Sequence, residues 1–429
     1  MKRLFTIILA INILIFSTVI SFSASSTNKV NISSESAILI DSSTGDILFE
    51  KNAHKSMYPA STTKVMTAIL TLENTNLNDR IIIDKETPFT DGSRIYVKEG
   101  EKFTVEQLLY SLMIESANDS ATALAKHISG SVEEFAKLMN KRAKELGALN
   151  TNFTNPHGLP DKKHISTAYD LAMISKYAMT IPKFKEIAKT KRYQIPETEK
   201  TPEIRYFRNR NRLLWGVGPR NKIRYNGKLI DIKYDIVDGI KTGYTSEAQQ
   251  CLVSSASKDN RKLISVVLKA IRTNVYLDTR KLIDHGFDNF NVLNLVDSGT
   301  ILESIPVDNG VEETLDLITQ NSVSKTIPNN YTYGDIKKTI EIEPEVRAPI
   351  NKGQALGRVT YSLNGEIIGE TNLIAYRFID EKQLSKIVGT IRGPNSSLRI
   401  PLILLFIYVL WRTIITVKRI RRKRRRWRW

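Results

Sequence analysis

Sequence patterns typical of β-strands flank a long stretch with the spacing of helices, and this order limits the folds that the chain can adopt. Ala37–Asp41 and Ile47–Glu50 have the pattern of two strands joined by a tight turn. Much later, Ile236–Gly243, Leu252–Ala256 and Leu263–Leu268 follow one another with short connections, which predicts an antiparallel meander. An antiparallel sheet that is flanked by helices, an α+β fold, accommodates this order.

The stretch between the strands has the apolar spacing of helices. Pro59 suits a helix that starts at Ser61, and Thr104 with Gln107 forms a capping-box pattern. We therefore predict a helical subdomain, and a last helix that packs on the sheet. The predicted helices cover residues 61–73, 104–113, 119–128, 131–147 and 276–285.

Residues 292–378 have a different pattern, with short apolar runs and frequent turns. Asn364-Gly365 is a strong hairpin signal, because both residues tolerate the positive φ that a two-residue turn needs. We predict a first domain over residues 31–290 and a small all-β domain over 291–380. A polar linker over 381–398 follows the second domain.

Residues 1–25 have the three parts of a secretory signal peptide. Lys2 and Arg3 precede the apolar run Leu4–Ile20, and small residues rich in serine follow it. An uncleaved anchor helix is the alternative, although the serine-rich end favours cleavage. Both interpretations predict that the folded domains are exported.

The other end of the chain combines an apolar run with a basic block. Ile400–Val417 is apolar except for Arg412, and nine Lys or Arg lie between residues 418 and 428. A helix of this length nearly crosses a hydrocarbon core of about 30 Å. We predict a transmembrane helix over 399–417 and a basic cytoplasmic tail over 418–429, which would attach the protein to a bacterial cell membrane. A helix that lies flat on the membrane is the alternative.

The net charge of +18 belongs mainly to the two ends, because residues 4–411 contain 51 Lys or Arg against 45 Asp or Glu. This distribution argues against a nucleic-acid partner. The single cysteine, Cys251, excludes an intrachain disulfide and a cysteine-based zinc site. The five histidines show no ligand spacing, and we predict neither a metal nor a cofactor.

Ser61 and Lys64 form the first of three motifs. Positions three apart share a face of a helix, so the amine can reach the hydroxyl. A serine is a poor nucleophile until a base takes its proton, and an amine with a depressed pKa can do so. The Ser-x-x-Lys pattern occurs four times, but only Ser61 opens a helix of apolar periodicity.

Ser116 and Asn118 form the second motif, at a break between two predicted helices. Such a break lets both side chains turn into a cleft. There Ser116 can relay a proton, and Asn118 can hold a substrate amide. Helix capping is the alternative role of both residues.

Lys241, Thr242 and Gly243 form the third motif, which occurs once and ends a predicted strand. The lysine offers a fixed positive charge to a carboxylate, and the threonine offers a hydroxyl donor. The glycine lets a substrate backbone approach closely. A plain strand end is the alternative interpretation.

In this order the three motifs resemble those of the penicillin-binding proteins and serine β-lactamases. The wider resemblance is to low-molecular-mass D-alanyl-D-alanine carboxypeptidases. It rests on Pro-Ala-Ser-Thr-Thr-Lys, Glu-Ser-Ala-Asn-Asp, Asn-Pro-His-Gly-Leu and Asp-Gly-Ile-Lys-Thr-Gly-Tyr-Thr, at residues 59–64, 115–119, 155–159 and 238–245. The resemblance implies that residues 31–290 are a catalytic domain with the β-lactamase and DD-peptidase fold.

The resemblance implies a penicillin-sensitive serine peptidase that removes the C-terminal D-alanine from peptidoglycan stem pentapeptides through an acyl-enzyme on Ser61. Lys64 would be the general base, and the amides of Ser61 and Tyr244 would form an oxyanion hole. β-Lactams would imitate the substrate. The implied catalytic residues are Ser61, Lys64, Ser116 and Asn118, and the implied substrate-binding residues are Lys241, Thr242, Gly243, Tyr244 and Thr245.

Two other functions share these motifs. A serine β-lactamase of class A needs a Glu-x-x-Leu-Asn element, and the nearest match, Glu145–Asn150, has one residue too many. A non-catalytic wall-binding protein on the same fold would have no physical reason to keep every reactive side chain of the three motifs. We therefore predict the carboxypeptidase.

Overall fold

The computed structural model describes residues 30–382 and 396–426. The chain divides into two compact units between residues 288 and 289. The helices are α1 Lys64–Asn74, α2 Val105–Ile114, α3 Asn118–Ser129, α4 Val132–Glu145, α5 Ala168–Ala178, α6 Pro182–Lys189, α7 Asn274–Asn289 and α8 Ser396–Arg426. The strands up to residue 270 are β1 Ser36–Asp41, β2 Ile47–Lys51, β3 Arg80–Ile82, β4 Lys102–Thr104, β5 Arg192–Ile195, β6 Arg205–Arg208, β7 Lys222–Tyr225, β8 Lys228–Asp231, β9 Val237–Thr245, β10 Gln249–Lys258 and β11 Arg261–Ala270.

A five-stranded antiparallel sheet, in the order β2-β1-β11-β10-β9, forms the centre of the first unit. Strands β9 to β11 are the predicted meander, and β1 joins it with Ile38 opposite Val266. Strand β1 is buried along its whole length, because it lies between β2 and β11 and under helix α5. Strand β9 is an edge strand, so one side of it has no partner within this sheet.

The helices from the first half of the chain contribute most of their apolar residues to the core of this unit. Helix α1 is buried from Lys64 to Thr71, and its apolar residues belong to one cluster with those of α2, α3 and α5. The predicted capping box is present at α2, where Thr104 accepts from the Gln107 amide and the Gln107 side chain accepts in return. The α+β architecture with flanking helices is therefore confirmed.

The sequence patterns did not predict the strands between residues 192 and 231. Strands β5 and β6 form one two-stranded ribbon, and β7 and β8 form another. Each of these four strands has four residues. Alternation of apolar and polar residues over only four positions is a weak signal, which explains why no pattern predicted these ribbons.

The second unit contains the predicted all-β domain. A five-stranded antiparallel sheet has the order β13-β14-β18-β17-β16, and β12 pairs with β15. Asn364 and Gly365 have φ of 53° and 86°, as the predicted hairpin turn between β17 and β18 requires. The strands are β12 Phe290–Val296, β13 Ile301–Pro306, β14 Thr314–Thr319, β15 Val323–Pro328, β16 Ile336–Ile342, β17 Ala355–Leu363 and β18 Glu366–Ala375.

Helix α8 contains the predicted membrane segment, but the structure does not support a span. Among the described residues, no helix is long and apolar enough to cross a bilayer. The described side chains of α8, residues 403–420, include Arg412, Lys418 and Arg419, and charges are costly in hydrocarbon. The predicted signal peptide and most of the predicted linker lie outside the described residues.

Candidate active site

Ser61 lies in a 3₁₀ turn, Ala60–Thr63, that leads directly into α1. The sequence predicted an α-helix from Ser61, so the observed first turn is tighter than expected. Side chains three apart nearly eclipse in a 3₁₀ turn. This geometry places Lys64 Nζ 3.0 Å from Ser61 Oγ.

Lys64 is fully buried and is surrounded by oxygen atoms. Its amine donates to Asn118 Oδ1 at 2.6 Å and to the His157 carbonyl oxygen at 2.7 Å. Burial lowers the pKa of Lys64 well below its ordinary value, and the nearby Lys241 lowers it further, while Asp119 opposes the shift. The site therefore favours a neutral amine beside the serine.

The second motif lies at the predicted break, between α2 and α3. Ser116 has a left-handed backbone, φ 67°, which turns the chain between the two helices. Asn118 begins α3, and its side-chain Nδ2 donates to the Asp91 carbonyl oxygen at 2.6 Å. Asn118 therefore links Lys64 to the loop at residues 91–97.

That loop is held by a buried carboxylate that the sequence analysis did not single out. Asp119 accepts from the backbone amides of Ile95, Val97 and Ser120. Burial raises the pKa of Asp119, and the backbone amides oppose the rise. Because Asp119 follows Asn118 directly, the same turn of α3 holds both the loop and the Lys64 amine.

Lys241 lies in the middle of β9, not at its end as predicted. Its amine donates to Ser116 Oγ at 2.9 Å and to the Thr242 carbonyl oxygen at 3.0 Å. Burial, followed by the charge of Arg210, lowers the pKa of Lys241 to about 7. A pKa near neutrality means that this amine can gain or lose a proton at physiological pH. The structure nevertheless brings all three motifs together.

Two glycines allow the segments around Ser61 to touch. A Cβ on Gly243 would lie 3.0 Å from the Ser61 amide nitrogen, so β9 packs directly on the turn that contains Ser61. A Cβ on Gly158 would lie 1.9 Å from the Ala60 carbonyl oxygen. Gly158 also has φ +89°, which favours glycine on conformational grounds.

The remaining predicted substrate-binding residues lie at the end of β9. Tyr244 is 59% exposed, and Thr242 is half-buried. Thr245 Oγ1 accepts from the Ala248 amide at 3.0 Å, so this hydroxyl holds the turn that leads to β10. Thr245 thus has a structural contact in addition to its predicted role.

The two histidines near the site are uncharged at neutral pH. Burial lowers the pKa of His157 to about 3 and that of His164 to about 4. His164 Nδ1 accepts from the Thr154 amide at 3.0 Å, so its Nε2–H is left to donate to Thr63 Oγ1, 2.8 Å away. Both imidazole rings are thus buried beside the site.

Arg210 was also missed by the sequence analysis. Its Nε donates to the Glu115 carbonyl oxygen at 3.1 Å, and its guanidinium forms an ion pair with the Glu115 carboxylate. The charge of Arg210 depresses the pKa of both Lys64 and Lys241. Arginine keeps its proton at any physiological pH. Only the three-dimensional proximity to Lys241 reveals this role.

A serine hydroxyl beside a buried amine, on an α+β fold with an open sheet edge, defines a serine acyl-transfer enzyme of the Ser-Lys type. A family model described as D-alanyl-D-alanine carboxypeptidase matches residues 22–272, and one described as penicillin-binding protein 5, C-terminal domain, matches residues 290–381. The chain belongs to the D-alanyl-D-alanine carboxypeptidase family.

Curated relatives and solved structures agree with this assignment. The chain is 34% identical to the D-alanyl-D-alanine carboxypeptidase DacF of Bacillus subtilis, over 87% of this chain and 94% of that protein. It is 32% identical to DacC of Escherichia coli, over 80% and 84%. The crystal structure of penicillin-binding protein 5 from Haemophilus influenzae covers 83% of this chain and all of its own, with 31% identity and a TM-score of 0.71.

Proposed function

We propose that this chain hydrolyses the terminal D-alanyl-D-alanine bond of peptidoglycan stem pentapeptides through an acyl-enzyme on Ser61. The observation that carries the proposal is the 3.0 Å contact between Nζ of the fully buried Lys64 and Oγ of the partly exposed Ser61. A neutral amine at this distance is a base that is already in place.

The oxygen atoms around Lys64 orient its lone pair. A neutral amine has two N–H groups and one lone pair. Asn118 Oδ1 and the His157 carbonyl oxygen take the two N–H groups. The lone pair is then left for the hydroxyl proton of Ser61. Lys64 takes this proton as Ser61 Oγ attacks the carbonyl carbon between the two D-alanines.

The leaving D-alanine needs a proton on its nitrogen. Ser116 Oγ lies 2.9 Å from Lys241 Nζ and can pass a proton from this amine into the cleft. With a pKa of about 7, Lys241 can give up and regain a proton without a large cost. Water then hydrolyses the acyl-enzyme, which releases the shortened peptide and restores the Ser61 hydroxyl.

The free carboxylate of the substrate meets a cationic end of the site. Lys241 and Thr242 would hold this carboxylate, and an anion beside Lys241 favours the charged form of its amine. The edge strand β9 offers unpaired backbone groups to an extended peptide. A β-lactam, with a carboxylate beside a reactive amide, would enter the same site and acylate Ser61.

The β-lactamase alternative is not favoured. Glu145, the nearest candidate for a deacylating carboxylate, is the last residue of α4 and forms a surface ion pair with Arg142 at 3.0 Å. A residue in this position does not orient a water molecule at Ser61. We therefore expect a penicilloyl group on Ser61 to be hydrolysed slowly.

We also propose that the folded units are exported and that helix α8 attaches them to the membrane. The described apolar side chains of α8 from residue 403 to 411 are all about half exposed, and basic residues follow them. Such a helix can lie in the membrane interface. Deletion of residues 395–429 should greatly weaken binding to anionic vesicles and leave hydrolysis of a soluble pentapeptide unchanged. Vesicle binding by the truncated protein as strong as that of the full-length protein would refute the attachment.

The proposed reaction is tested by release of D-alanine from a soluble stem pentapeptide. The wild-type protein should release one D-alanine per peptide, and Ser61→Ala should release none. Ser131→Ala, at the N-cap of α4, is the matched control for loss of a hydroxyl and should stay active. Release by Ser61→Ala at the wild-type rate would refute the proposal.

A further inference from the structure

The outer face of the β5–β6 ribbon places two arginines directly opposite each other. Arg192 is opposite Arg208, and Gln194 is opposite Tyr206. All four of these side chains are exposed. Like charges in this arrangement destabilise a strand pair. The ribbon therefore keeps a charge distribution that folding alone does not favour.

Arg208 is also held in a fixed orientation. Its guanidinium carbon lies 3.3 Å from the centre of the Trp215 ring, and Trp215 Nε1 donates to the Asn209 carbonyl oxygen at 2.6 Å. Stacking on the indole fixes the guanidinium plane and leaves its N–H edge available. This is the geometry with which arginine binds phosphate. Within residues 30–382, no carboxylate forms an ion pair with Arg192 or Arg208.

Three further cations flank this pair: Lys189 at the end of α6, Lys191 just before β5, and Arg210 just after β6. The Asn209 amide donates to the Lys191 carbonyl oxygen at 2.9 Å, which keeps the two strands together at this end. The carboxylates near these cations are Asp238, 3.6 Å from Lys189, Glu115, which pairs with Arg210, and Asp235, whose pKa is lowered by Lys233 and then by Lys191.

The surrounding segment has a large excess of positive charge. Residues 183–235 contain 15 Lys or Arg and only 6 Asp or Glu. The rest of residues 30–288 contains 24 Lys or Arg and 25 Asp or Glu. The positive charge of the first unit is thus concentrated in one segment, which includes the ribbon.

We propose that the basic face formed by Lys189, Lys191, Arg192, Arg208 and Arg210 binds an anionic polymer of repeating phosphodiesters. Successive phosphates can meet successive cations, and release of the polymer's counterions favours binding. The proposed export makes a polyol phosphate of the cell wall the source. The face ends at Arg210, whose charge acts on Lys241, so a bound polymer would hold the enzyme with its active site close to the wall.

The test compares charge reversals in the full-length protein with a glycerol phosphate oligomer as the probe. Arg192→Glu combined with Arg208→Glu removes the centre of the basic face. Lys337→Glu combined with Lys338→Glu, two exposed residues of β16, changes the net charge equally and is the matched control. The basic C-terminal block is present in every variant, so its contribution to binding is common to all.

The arginine double variant should bind the oligomer at least about ten times more weakly. The salt dependence of its binding constant should correspond to the release of about two fewer counterions. The lysine double variant should match the wild type. Unchanged D-alanine release by the arginine variant would show that it is folded, and Arg192→Gln with Arg208→Gln gives a milder second variant. Equal weakening in both double variants, or none in the folded arginine variants, would overturn the proposal.

Discussion

Lys64 Nζ lies 3.0 Å from Ser61 Oγ, while Asn118 Oδ1 and the His157 carbonyl oxygen occupy its other hydrogen-bonding positions. These partners come from three separate segments of the chain. The carbonyl and amide oxygens accept hydrogen bonds only, so they fix which side of a neutral amine carries the lone pair. In the proposed mechanism, this arrangement lets Lys64 act as the base as soon as the substrate binds.

Replacement of this amine should remove the base and leave the fold. We expect Lys64→Gln to lower the rate of acylation by about 10²- to 10⁴-fold, the usual contribution of a positioned base. The measurement is the rate of acylation by a fluorescent penicillin. Lys137→Gln, on the surface of α4, is the control and should acylate at the wild-type rate. A Lys64→Gln protein that acylates normally would show that another group takes the proton.

Acid should inhibit the enzyme through Lys64. Burial lowers the pKa of this amine, so it is neutral above that pKa and gains a proton below it. We expect kcat/KM to fall by about tenfold per pH unit on the acid side. The unfolded chain binds more protons than the folded one between the lowered and the ordinary pKa, so stability should also decrease as pH falls through that window. A kcat/KM that stays flat into the acid range would contradict this assignment.

Substrate binding should change the protonation of Lys241. With a pKa of about 7, this amine is mostly neutral at about pH 8, and a bound carboxylate favours the ammonium. Titration calorimetry of Ser61→Ala with an acyl-D-alanyl-D-alanine peptide, in buffers of different ionisation enthalpy, should show uptake of up to about one proton. The amidated peptide should show none. Equal heats in all buffers would refute the linkage.

Gly158 should be far less tolerant of alanine than a glycine in open space. A Cβ there would overlap the Ala60 carbonyl oxygen, whereas Gly130, with φ +78°, has nothing within 4 Å of its Cβ position. We expect Gly130→Ala to cost about 1 kcal/mol of stability from the left-handed backbone alone, and Gly158→Ala to cost about 3 kcal/mol or more. Thermal unfolding measures the difference. Equal costs would show that the turn containing Ser61 shifts readily to make room for the added methyl group.

The parts of the fold that were predicted depend on patterns of several residues. The meander β9 to β11 has long buried strands, and the Ser61–Lys64 contact follows from a spacing of three residues. The contact of Lys241 with Ser116 spans 125 residues, a separation that no local pattern covers. Local pattern and resemblance together thus predicted which side chains meet in the site.

The rest could not be predicted because the sequence does not encode it locally. The His157 carbonyl that binds Lys64 is a backbone group, and any residue could supply it. Gly243 was predicted to end a strand, but it lies within β9 because the pairing with β10 continues to Thr245. The effect of Arg210 on the lysines and the placement of Arg192 opposite Arg208 depend on the tertiary fold and on strand register.

The most direct test of the account is the intact mass of the full-length protein after exposure to benzylpenicillin, measured beside Ser61→Ala. We expect one covalent adduct on the wild-type protein and none on the variant, since Ser61 is the proposed site of acylation. An adduct on both proteins would contradict the assignment of the nucleophile. A folded wild-type protein that neither forms an adduct nor consumes penicillin would contradict the proposed acyl-enzyme chemistry itself.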